Sequence, residues 1–386
     1  MGSDAPLSGP DFSQGVDDAD LHEAEILLGH AAGEAVVLVR DRGMVRAFGA
    51  TCTHYGGPLA EGRIFGGAIH CPWHHACFDL VTGAPHGPAL APIACWDVTI
   101  ENGKIRVGEK QEQARLTAPA MAPASVVIIG GGAAGVACAE TLRQDGYAGT
   151  VAIVNGEGSD PVDRPNLSKD YLAGNAPEEW VYLRTKEQLS AIGVELVRGE
   201  AASIDRDART VKVAGGRVVG YGALVLATGA DPIRLPIAGA DLPHVHVLRT
   251  LEHSRAIAAA GAGKRVVVIG ASFIGLEVAA SLRARGADVT VVAPEPVPLA
   301  RVLGDDVGAF VRRVHEAQGV AFRLGRKPVS ISAEAVTLDD GALVPAEVVV
   351  MGVGVKPRLA LAAAAGLALD RGVVVDQELK AARGVW

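Results

Sequence analysis

The sequence of 386 residues contains one pattern twice: a short apolar run followed by a glycine-rich turn and an alanine-rich stretch. Residues 126–129 precede the first turn, and residues 266–269 precede the second turn 140 residues later. This order predicts a buried parallel strand, a tight turn and a helix, whose N-terminal NH groups and dipole suit the phosphates of a dinucleotide. The repeat therefore predicts two duplicated α/β nucleotide-binding domains.

Each glycine of the first turn has a separate predicted role. Gly130 makes the tight turn, Gly132 lets the backbone approach a pyrophosphate, and Gly135 lets the helix pack against the strand. Ala133 lies in the same turn and is a further predicted cofactor contact. An ordinary strand-to-helix turn can carry the same glycines, so one motif alone leaves a purely structural interpretation open.

A carboxylate about 20 residues after such glycines is expected to bond ribose hydroxyls. Glu157 is the predicted acid of the first domain. In the second domain Ala293 takes the place of the usual acid, Glu295 could substitute for it, and no arginine follows immediately to bind a 2′-phosphate. We therefore expect NADH to be preferred over NADPH. The second turn supplies three more candidate contacts, with serine replacing the middle glycine: Gly270, Ser272 and Gly275.

The N-terminal part has a different pattern. Apolar segments at residues 35–39, 45–48 and 68–70, separated by glycine-bearing turns, predict a small all-β domain. Its loops carry four metal ligands in a C-x-H…C-x-x-H pattern: Cys52, His54, Cys71 and His74. Two thiolates for one iron and two imidazoles for the other complete a 2Fe–2S ligand set. Tetrahedral zinc also accepts these ligand types, but zinc pairs usually have more than one intervening residue, so the pattern favours iron and sulfur.

Composition excludes several other functions. A net charge of −8 without a Lys/Arg run argues against nucleic-acid or anionic-membrane partners. The first 20 residues are polar and acidic, which is not the pattern of a secretory signal or a membrane span. Five unevenly spaced cysteines indicate reduced thiols or metal ligands, so we expect a cytoplasmic protein.

Two segments of the N-terminal domain carry a family resemblance. Residues 52–62 and 71–79 closely resemble the two cluster-binding loops of Rieske ferredoxins, and the resemblance covers residues 20–108. It implies imidazoles toward solvent, although His75 stands where that family often has glycine. Cys77 lacks the partner cysteine found in high-potential members, so a potential of roughly −150 mV is expected. Cys77 and Cys95 are then buried small residues.

A second resemblance lies at residues 163–172, which look like the R-P-x-L-S-K segment of flavoprotein reductases. That group contains putidaredoxin reductase, the dioxygenase ferredoxin reductases and apoptosis-inducing factor. The resemblance implies FAD in the first nucleotide domain and a nicotinamide dinucleotide in the second. It assigns Lys169 to the isoalloxazine, Arg164 to the flavin phosphates or ring, and Glu277 to the nicotinamide carboxamide. Further implied contacts of the two domains are Thr228, Gly229, Arg234, Gly352 and Gly354.

The predicted domain order is a Rieske domain at 20–108, a linker at 109–123 and a first part of the FAD domain at 124–240. A nicotinamide domain at 241–355 and a return to the FAD domain at 356–386 follow. Residues 370–386 resemble the segment before the family's A-x-G-D motif. Because that motif and the family's C-terminal interface domain do not follow, we expect a fragment.

The resemblances imply an NAD(P)H-dependent flavoprotein oxidoreductase that passes electrons from nicotinamide through FAD to the cluster. The final acceptor would be a protein such as an oxygenase or a cytochrome. Two alternatives stay open at this stage, a redox-sensing protein like apoptosis-inducing factor and an NADH oxidase that works without the cluster. The sequence also leaves the oligomeric state open, with a homodimer as one candidate.

Overall fold

The computed structural model describes residues 7–89, 91–111 and 122–386. The chain divides into two compact units, the first formed mainly by residues before the predicted linker and the second mainly by residues after it. The last strand of the first unit ends at Lys110, two residues inside the linker predicted at 109–123. Residues 112–121 of that linker lie outside the described residues.

The described residues of the first unit form antiparallel sheets. The strands are β1 (Val16–Asp17), β2 (Ile26–Ala31), β3 (Glu34–Asp41), β4 (Met44–Gly49), β5 (Arg63–Phe65), β6 (Ala68–His70), β7 (Cys77–Asp79), β8 (Cys95–Glu101) and β9 (Lys104–Lys110). Two short 3-10 helices, Asp18–Asp20 and Leu59–Glu61, complete it. Six strands form one sheet in the order β1-β9-β8-β4-β3-β2, and β5, β6 and β7 form a smaller one. The predicted apolar segments lie within β3, β4 and β6.

Four hairpins of this unit close on two-residue turns at residues 32–33, 42–43, 66–67 and 102–103. Both residues of each turn have φ between 49° and 79°, and the second is always glycine. This backbone matches the right-handed twist of the strands it joins, which is why such turns favour glycine. Buried side chains of β3 alternate between two apolar clusters, so both faces of the large sheet are covered.

The second unit begins with the first nucleotide domain. Its elements are β10 (Ser125–Ile129), α1 (Ala133–Gln144), β11 (Thr150–Asn155), α2 (Asp170–Ala173), α3 (Lys186–Ala191), β12 (Val194–Arg198), β13 (Ala201–Asp205), β14 (Thr210–Val213), β15 (Val218–Gly220), β16 (Ala223–Leu226) and β17 (Ala230–Pro232), with 3-10 helices Arg164–Ser168 and Glu178–Val181. A parallel sheet runs in the order β12-β11-β10-β16. Hydrogen bonds from Trp386 to Leu224 and from Leu226 to Trp386 attach the end of the chain to its edge.

The second nucleotide domain follows. Its elements are β18 (Val245–Val247), α4 (Leu251–Gly261), β19 (Arg265–Ile269), α5 (Phe273–Ala284), β20 (Asp288–Ala293), α6 (Ala300–Ala317), β21 (Ala321–Leu324), β22 (Pro328–Ile331), β23 (Ala335–Leu338), β24 (Leu343–Pro345), β25 (Val348–Met351) and β26 (Val355–Pro357). The closing segment holds α7 (Ala360–Ala364), β27 (Leu369–Asp370) and β28 (Gly372–Val373). The parallel order is β18-β25-β19-β20-β21, and β26 pairs with β17.

The two nucleotide domains repeat the same local structure. Gly130 donates its NH to the carbonyl of Val154 at 2.9 Å, and Gly270 donates to Val292 at 2.8 Å in the corresponding place. Each domain also inserts a three-stranded antiparallel sheet before its last parallel strand. The central strands β10 and β19 are buried on both faces, as continuous apolar runs in parallel sheets require. The predicted duplication is therefore visible in the backbone.

A polar network joins the two nucleotide domains. The carboxylate of Glu178 accepts two hydrogen bonds from Arg255 of α4, at 2.8 and 2.5 Å, and one each from the hydroxyls of Tyr171 and Tyr182. These bonds, those from Arg255 first, lower the pKa of Glu178 to about 2. The charged carboxylate is therefore stabilised more in the folded chain than in the unfolded one.

This shift predicts a pH-dependent contribution to stability. Because the folded pKa is depressed, the stabilisation is complete above the unfolded pKa of about 4.3 and is lost as pH falls toward 2. Glu178→Gln is expected to lower the melting temperature at pH 7, with a gap to the parent that narrows below about pH 4.5. Glu252→Gln, at an exposed carboxylate of α4, is the control. Thermal unfolding from pH 7 to 3.5 measures this, and a gap independent of pH would contradict it.

No helix in the described parts of the chain has the length and apolar character needed to cross a bilayer.

Candidate functional site

The four predicted metal ligands lie on two loops of the first unit. Cys52 and Cys71 are each 2% exposed, whereas His54 is half-buried and His74 is exposed. The two imidazole rings have centroids 5.2 Å apart and are nearly perpendicular. The thiols therefore lie inside the loops and the His74 imidazole lies toward solvent, whereas the Nδ1 atom of the half-buried His54 is not accessible to solvent.

Backbone hydrogen bonds fix these loops. Cys52 donates its NH to the carbonyl of Gly57 at 2.9 Å, and Cys71 donates to Ala76 at 2.8 Å. A Cβ on Gly57 would lie 2.6 Å from the Cys71 sulfur, so glycine is required where the two loops meet. His75 has φ of +58°, a left-handed conformation that glycine adopts without strain. This conformation explains why a glycine suits that position.

The four residues can be compared with the two metal centres considered from the sequence. Burial raises the pKa of the Cys52 thiol to about 11, and the adjacent Cys71 adds to the shift, so metal binding must release a proton. Among the described residues, no group of three or more His, Cys, Asp and Glu side chains is arranged to hold a single metal ion. A 2Fe–2S centre asks only for one thiolate pair and one imidazole pair. The four residues fit that requirement.

The first nucleotide turn depends on glycine for two steric reasons. Gly130 has φ of +121°, and a Cβ there would lie 2.1 Å from the carbonyl oxygen of Ala227. A Cβ on Gly135 would lie 1.9 Å from the carbonyl oxygen of Gly130. Gly132 differs, because its nearest neighbour would be the Arg164 guanidinium at 3.8 Å. The fold therefore requires the outer two glycines, whereas the packing of the protein would leave room for a side chain at Gly132.

The second turn repeats this geometry with one change. A Cβ on Gly270 would meet the carbonyl oxygen of Gly352 at 2.4 Å, and a Cβ on Gly275 would meet that of Gly270 at 2.0 Å. Ser272 occupies the N-cap position of α5, but its side chain makes no capping hydrogen bond. Gly354 has φ of +108° in the closing turn.

The predicted ribose acid of the first domain has a cationic partner. Glu157 pairs with Arg164 at 2.5 Å, and Arg164 also donates to the carbonyl of Arg249 at 2.7 Å. Arg249 approaches the turn at Gly229, where a Cβ would lie 3.1 Å from its guanidinium. Burial, and then the neighbouring Arg164, lowers the pKa of Arg249. Sequence reasoning missed Arg249, because no motif marks it.

Lys169 and Glu277, predicted on opposite domains, form an ion pair at 3.0 Å. The other carboxylate oxygen of Glu277 accepts a 2.6 Å hydrogen bond from Ser168. Glu277 lies one turn into α5, and Lys169 follows the 3-10 helix that begins at Arg164. A charged pair therefore lies where the two nucleotide domains meet.

Three further predicted cofactor contacts form hydrogen bonds or an ion pair within the protein. Thr228 donates to the carbonyl of Arg358 at 3.1 Å beside the first closing turn. Arg234 donates to the carbonyl of Ala240 at 2.9 Å and to that of Val245 in β18 at 3.5 Å, so its guanidinium holds the segment that leads into the second nucleotide domain. Glu295 pairs at 3.4 Å with the exposed Arg301, an arginine that sequence reasoning did not consider.

The sequence of this chain matches two known protein families. Residues 124–386 match the family described as pyridine nucleotide-disulphide oxidoreductase. The chain belongs to that family. Residues 15–97 match the Rieske [2Fe-2S] domain, so a Rieske domain precedes the pyridine nucleotide-disulphide oxidoreductase region. The predicted family resemblance and the multidomain fold, all-β followed by α/β, are confirmed.

Several relatives of this pyridine nucleotide-disulphide oxidoreductase are known. Apoptosis-inducing factor 3 of Homo sapiens is 34% identical over 356 residues, which cover 87% of this chain and 58% of that protein. Rhodocoxin reductase of Rhodococcus erythropolis is 41% identical, covering 66% of this chain and 62% of that protein. The crystal structure of a ferredoxin reductase from Rhodopseudomonas palustris superposes with a TM-score of 0.64 at 40% identity, covering 67% of this chain and 65% of that one. This chain thus spans roughly three fifths of each relative's length.

Proposed function

We propose that this chain is an NAD(P)H-dependent flavoprotein oxidoreductase that passes electrons from a nicotinamide dinucleotide through FAD to its Rieske cluster. The observation that carries the proposal is the Lys169–Glu277 pair, at 3.0 Å, between two nucleotide turns of the same form. FAD, when bound, accepts a hydride from nicotinamide and can release the two electrons singly.

Each residue then has a specific task. Gly132 and the N-terminus of α1 receive the FAD diphosphate, because the turn leaves that surface open. Glu157 accepts hydrogen bonds from the adenosine ribose, with Arg164 holding the carboxylate in place. Lys169, from the first nucleotide domain, orients the flavin. Glu277, from the second, orients the nicotinamide carboxamide.

The absence of a thiol relay supports a direct exit for electrons. Cys138 is the sole cysteine after Cys95 in the sequence, and it is half-buried in α1. A dithiol relay needs two cysteines, so despite the family's name we propose no disulfide step for this chain. The remaining redox centre is the Rieske domain, whose His74 is exposed and whose His54 is half-buried.

An electron acceptor must then meet the Rieske domain. Putidaredoxin reductase, whose solved structure is 38% identical to this chain over the matched region, is joined to putidaredoxin in a covalent complex. Here we propose that the cluster is supplied by the chain itself and that an oxygenase or a cytochrome receives its electrons. We also propose that the protein is cytoplasmic and that a homodimer is its candidate assembly.

The proposal has a simple test. The full chain, reconstituted with FAD and with iron and sulfide, should lose its flavin absorbance near 450 nm within seconds of anaerobic NADH addition. A flavin that binds but is not reduced by NADH or NADPH would contradict the proposed activity.

The preference between NADH and NADPH gives a second prediction. Glu295 is 27% exposed after β20, where its negative charge would repel a 2′-phosphate, so NADH should give the higher kcat/KM. Glu295→Gln removes that charge and frees Arg301, so kcat/KM for NADPH is expected to rise about tenfold, or ~1.4 kcal/mol, while that for NADH changes little.

Steady-state kinetics with both nucleotides measures this difference. Glu316→Gln, at a carboxylate that pairs with Arg312 in the last turn of α6, is the matched control and should change neither value. A parent enzyme that prefers NADPH tenfold would overturn the assignment of NADH.

A further inference from the structure

Three buried serines lie around one short segment of the second unit. Ser168, Ser254 and Ser281 are 5%, 0% and 5% exposed, although serine is usually found at protein surfaces. Ser168 ends the 3-10 helix that begins at Arg164, Ser254 lies in α4 and Ser281 lies in α5. Hydroxyl groups so deeply buried need hydrogen-bond partners, and each of these has one.

The partners lie at the end of the 3-10 helix. Ser254 donates to the carbonyl of Leu167 at 2.7 Å, and Ser281 donates to the carbonyl of Ser168 at 2.7 Å. The carbonyls at a helix end have no partner within the helix. Two successive carbonyls of the first nucleotide domain are therefore satisfied by hydroxyls from two helices of the second.

One face of α5 holds the same segment in two ways. Glu277 and Ser281 are four residues apart, so they lie on one side of the helix. Glu277 binds the Ser168 hydroxyl at 2.6 Å and the Lys169 ammonium at 3.0 Å, while Ser281 binds the Ser168 carbonyl. Ser168 is thus fixed at its side chain and at its backbone, directly before Lys169.

We propose that Ser254 and Ser281 are positioning residues that hold the Lys169–Glu277 pair in register across the boundary between the nucleotide domains. The inference rests on the proposed function, since it concerns the reduction of the flavin by NADH. Neither serine bonds to the side chain of Lys169 or Glu277. Ser254 acts through the carbonyl of Leu167, and Ser281 acts through the carbonyls of Ser168 and Lys169, the second at 3.2 Å. A small displacement of a positioned group can cost a large factor in rate, because reacting groups must meet in a narrow geometry.

The test is Ser281→Ala, with Ser254→Ala as a second variant. Alanine favours helix more than serine does, so α4 and α5 should persist in both variants. In the FAD-loaded full chain, stopped-flow reduction of the flavin by NADH is expected to slow on the order of tenfold. The apparent Kd for NADH should change less than about twofold, because the nucleotide turn itself is unaltered.

A second readout does not involve turnover. Amide hydrogen exchange of residues 165–173, measured by mass spectrometry on the oxidised protein, should accelerate about tenfold in both variants. Val336→Ala is the stability control, because Val336 is 0% exposed in a different apolar cluster of the second nucleotide domain. It should lower the melting temperature without changing the reduction rate or the exchange of this segment.

The outcomes are distinguishable. If Ser281→Ala and Ser254→Ala lower the melting temperature but leave the reduction rate and the exchange of residues 165–173 at parent values, the serines serve stability alone and the inference fails. If NADH does not reduce the parent flavin, the proposed function fails, while unchanged exchange in the variants would separately overturn the positioning role.

Discussion

Replacing either His54 or His74 with alanine is expected to abolish the Rieske absorbance and electron paramagnetic resonance signals of the full chain. The two imidazoles complete one iron's protein ligands, so the loss of either leaves that iron with a single ligand from the chain. The two nucleotide turns lie in the other unit of the chain. NADH should therefore still reduce the flavin at a rate within about twofold of the parent.

His75 provides a matched control for the cluster variants. It is an exposed histidine adjacent to His74, and no ligand role is predicted for it. His75→Ala should keep iron, sulfide and spectrum, whereas the ligand variants should lose them. Full retention of the Rieske spectrum in His54→Ala or His74→Ala would show that the ligand assignment is wrong. A parent protein that binds zinc but no iron would show that the site is the tetrahedral zinc site considered from the sequence.

The second large effect is expected for FAD binding by Gly132→Ala. Its methyl group would meet no protein atom closer than the Arg164 guanidinium at 3.8 Å, so the apoprotein should fold as the parent does. The same methyl group would occupy the surface that the diphosphate needs, and the Kd for FAD should rise at least tenfold, about 1.4 kcal/mol.

Gly220→Ala is the matched control for this variant, because Gly220 lies in β15 with no atom within 4 Å of an added Cβ. Flavin fluorescence titration of the apoproteins measures Kd, and thermal unfolding of the same samples checks the fold. Parent-like FAD affinity in Gly132→Ala would show that the diphosphate does not bind at this turn. A melting temperature that falls in the apoprotein would instead show a structural role for Gly132.

The features predicted from the sequence are those in which local geometry or chemistry leaves few choices. Gly130 and Gly135 were predicted from the glycine spacing of the turn, and in the structure a side chain at either position would collide with neighbouring backbone. Cys52 and Cys71 were predicted to be ligands because thiolates and imidazoles at this spacing suit a 2Fe–2S centre. In these places the residue type itself carries the structural information.

Other features depend on contacts distant in sequence, and no local pattern reports them. Ser281 meets Ser168 across 113 positions, and mid-helix serines carry no signal of such a partner. Arg249 lies near the first domain's turn only because the second domain folds against it. Arg234 was predicted from the family alone, and its hydrogen bond to Ala240 shows that it holds the segment leading into the second nucleotide domain, a role that sequence reasoning did not consider.

The end of β9 lies two residues inside the predicted linker. Lys110 and the residues before it are polar, and polarity suggested a linker starting at 109. The strand nevertheless continues to Lys110, because its backbone pairs with β8 and its ammonium group forms an ion pair with Glu34 at 2.5 Å. Because β1 pairs only with residues 104–105 of β9, one side of the strand has no neighbouring strand at Lys110 among the described residues and accepts charged residues as a sheet edge does. Composition alone therefore does not mark where the strand ends.

The claim that the cluster receives the flavin's electrons can be tested in one measurement. The full chain, loaded with FAD and with its 2Fe–2S cluster, is mixed anaerobically with NADH and frozen at intervals for electron paramagnetic resonance, with absorbance followed in parallel. The account predicts that flavin absorbance falls first and that the signal of a reduced Rieske cluster then appears in nearly every molecule. A flavin that NADH reduces repeatedly while an intact cluster stays oxidised through many turnovers would contradict it.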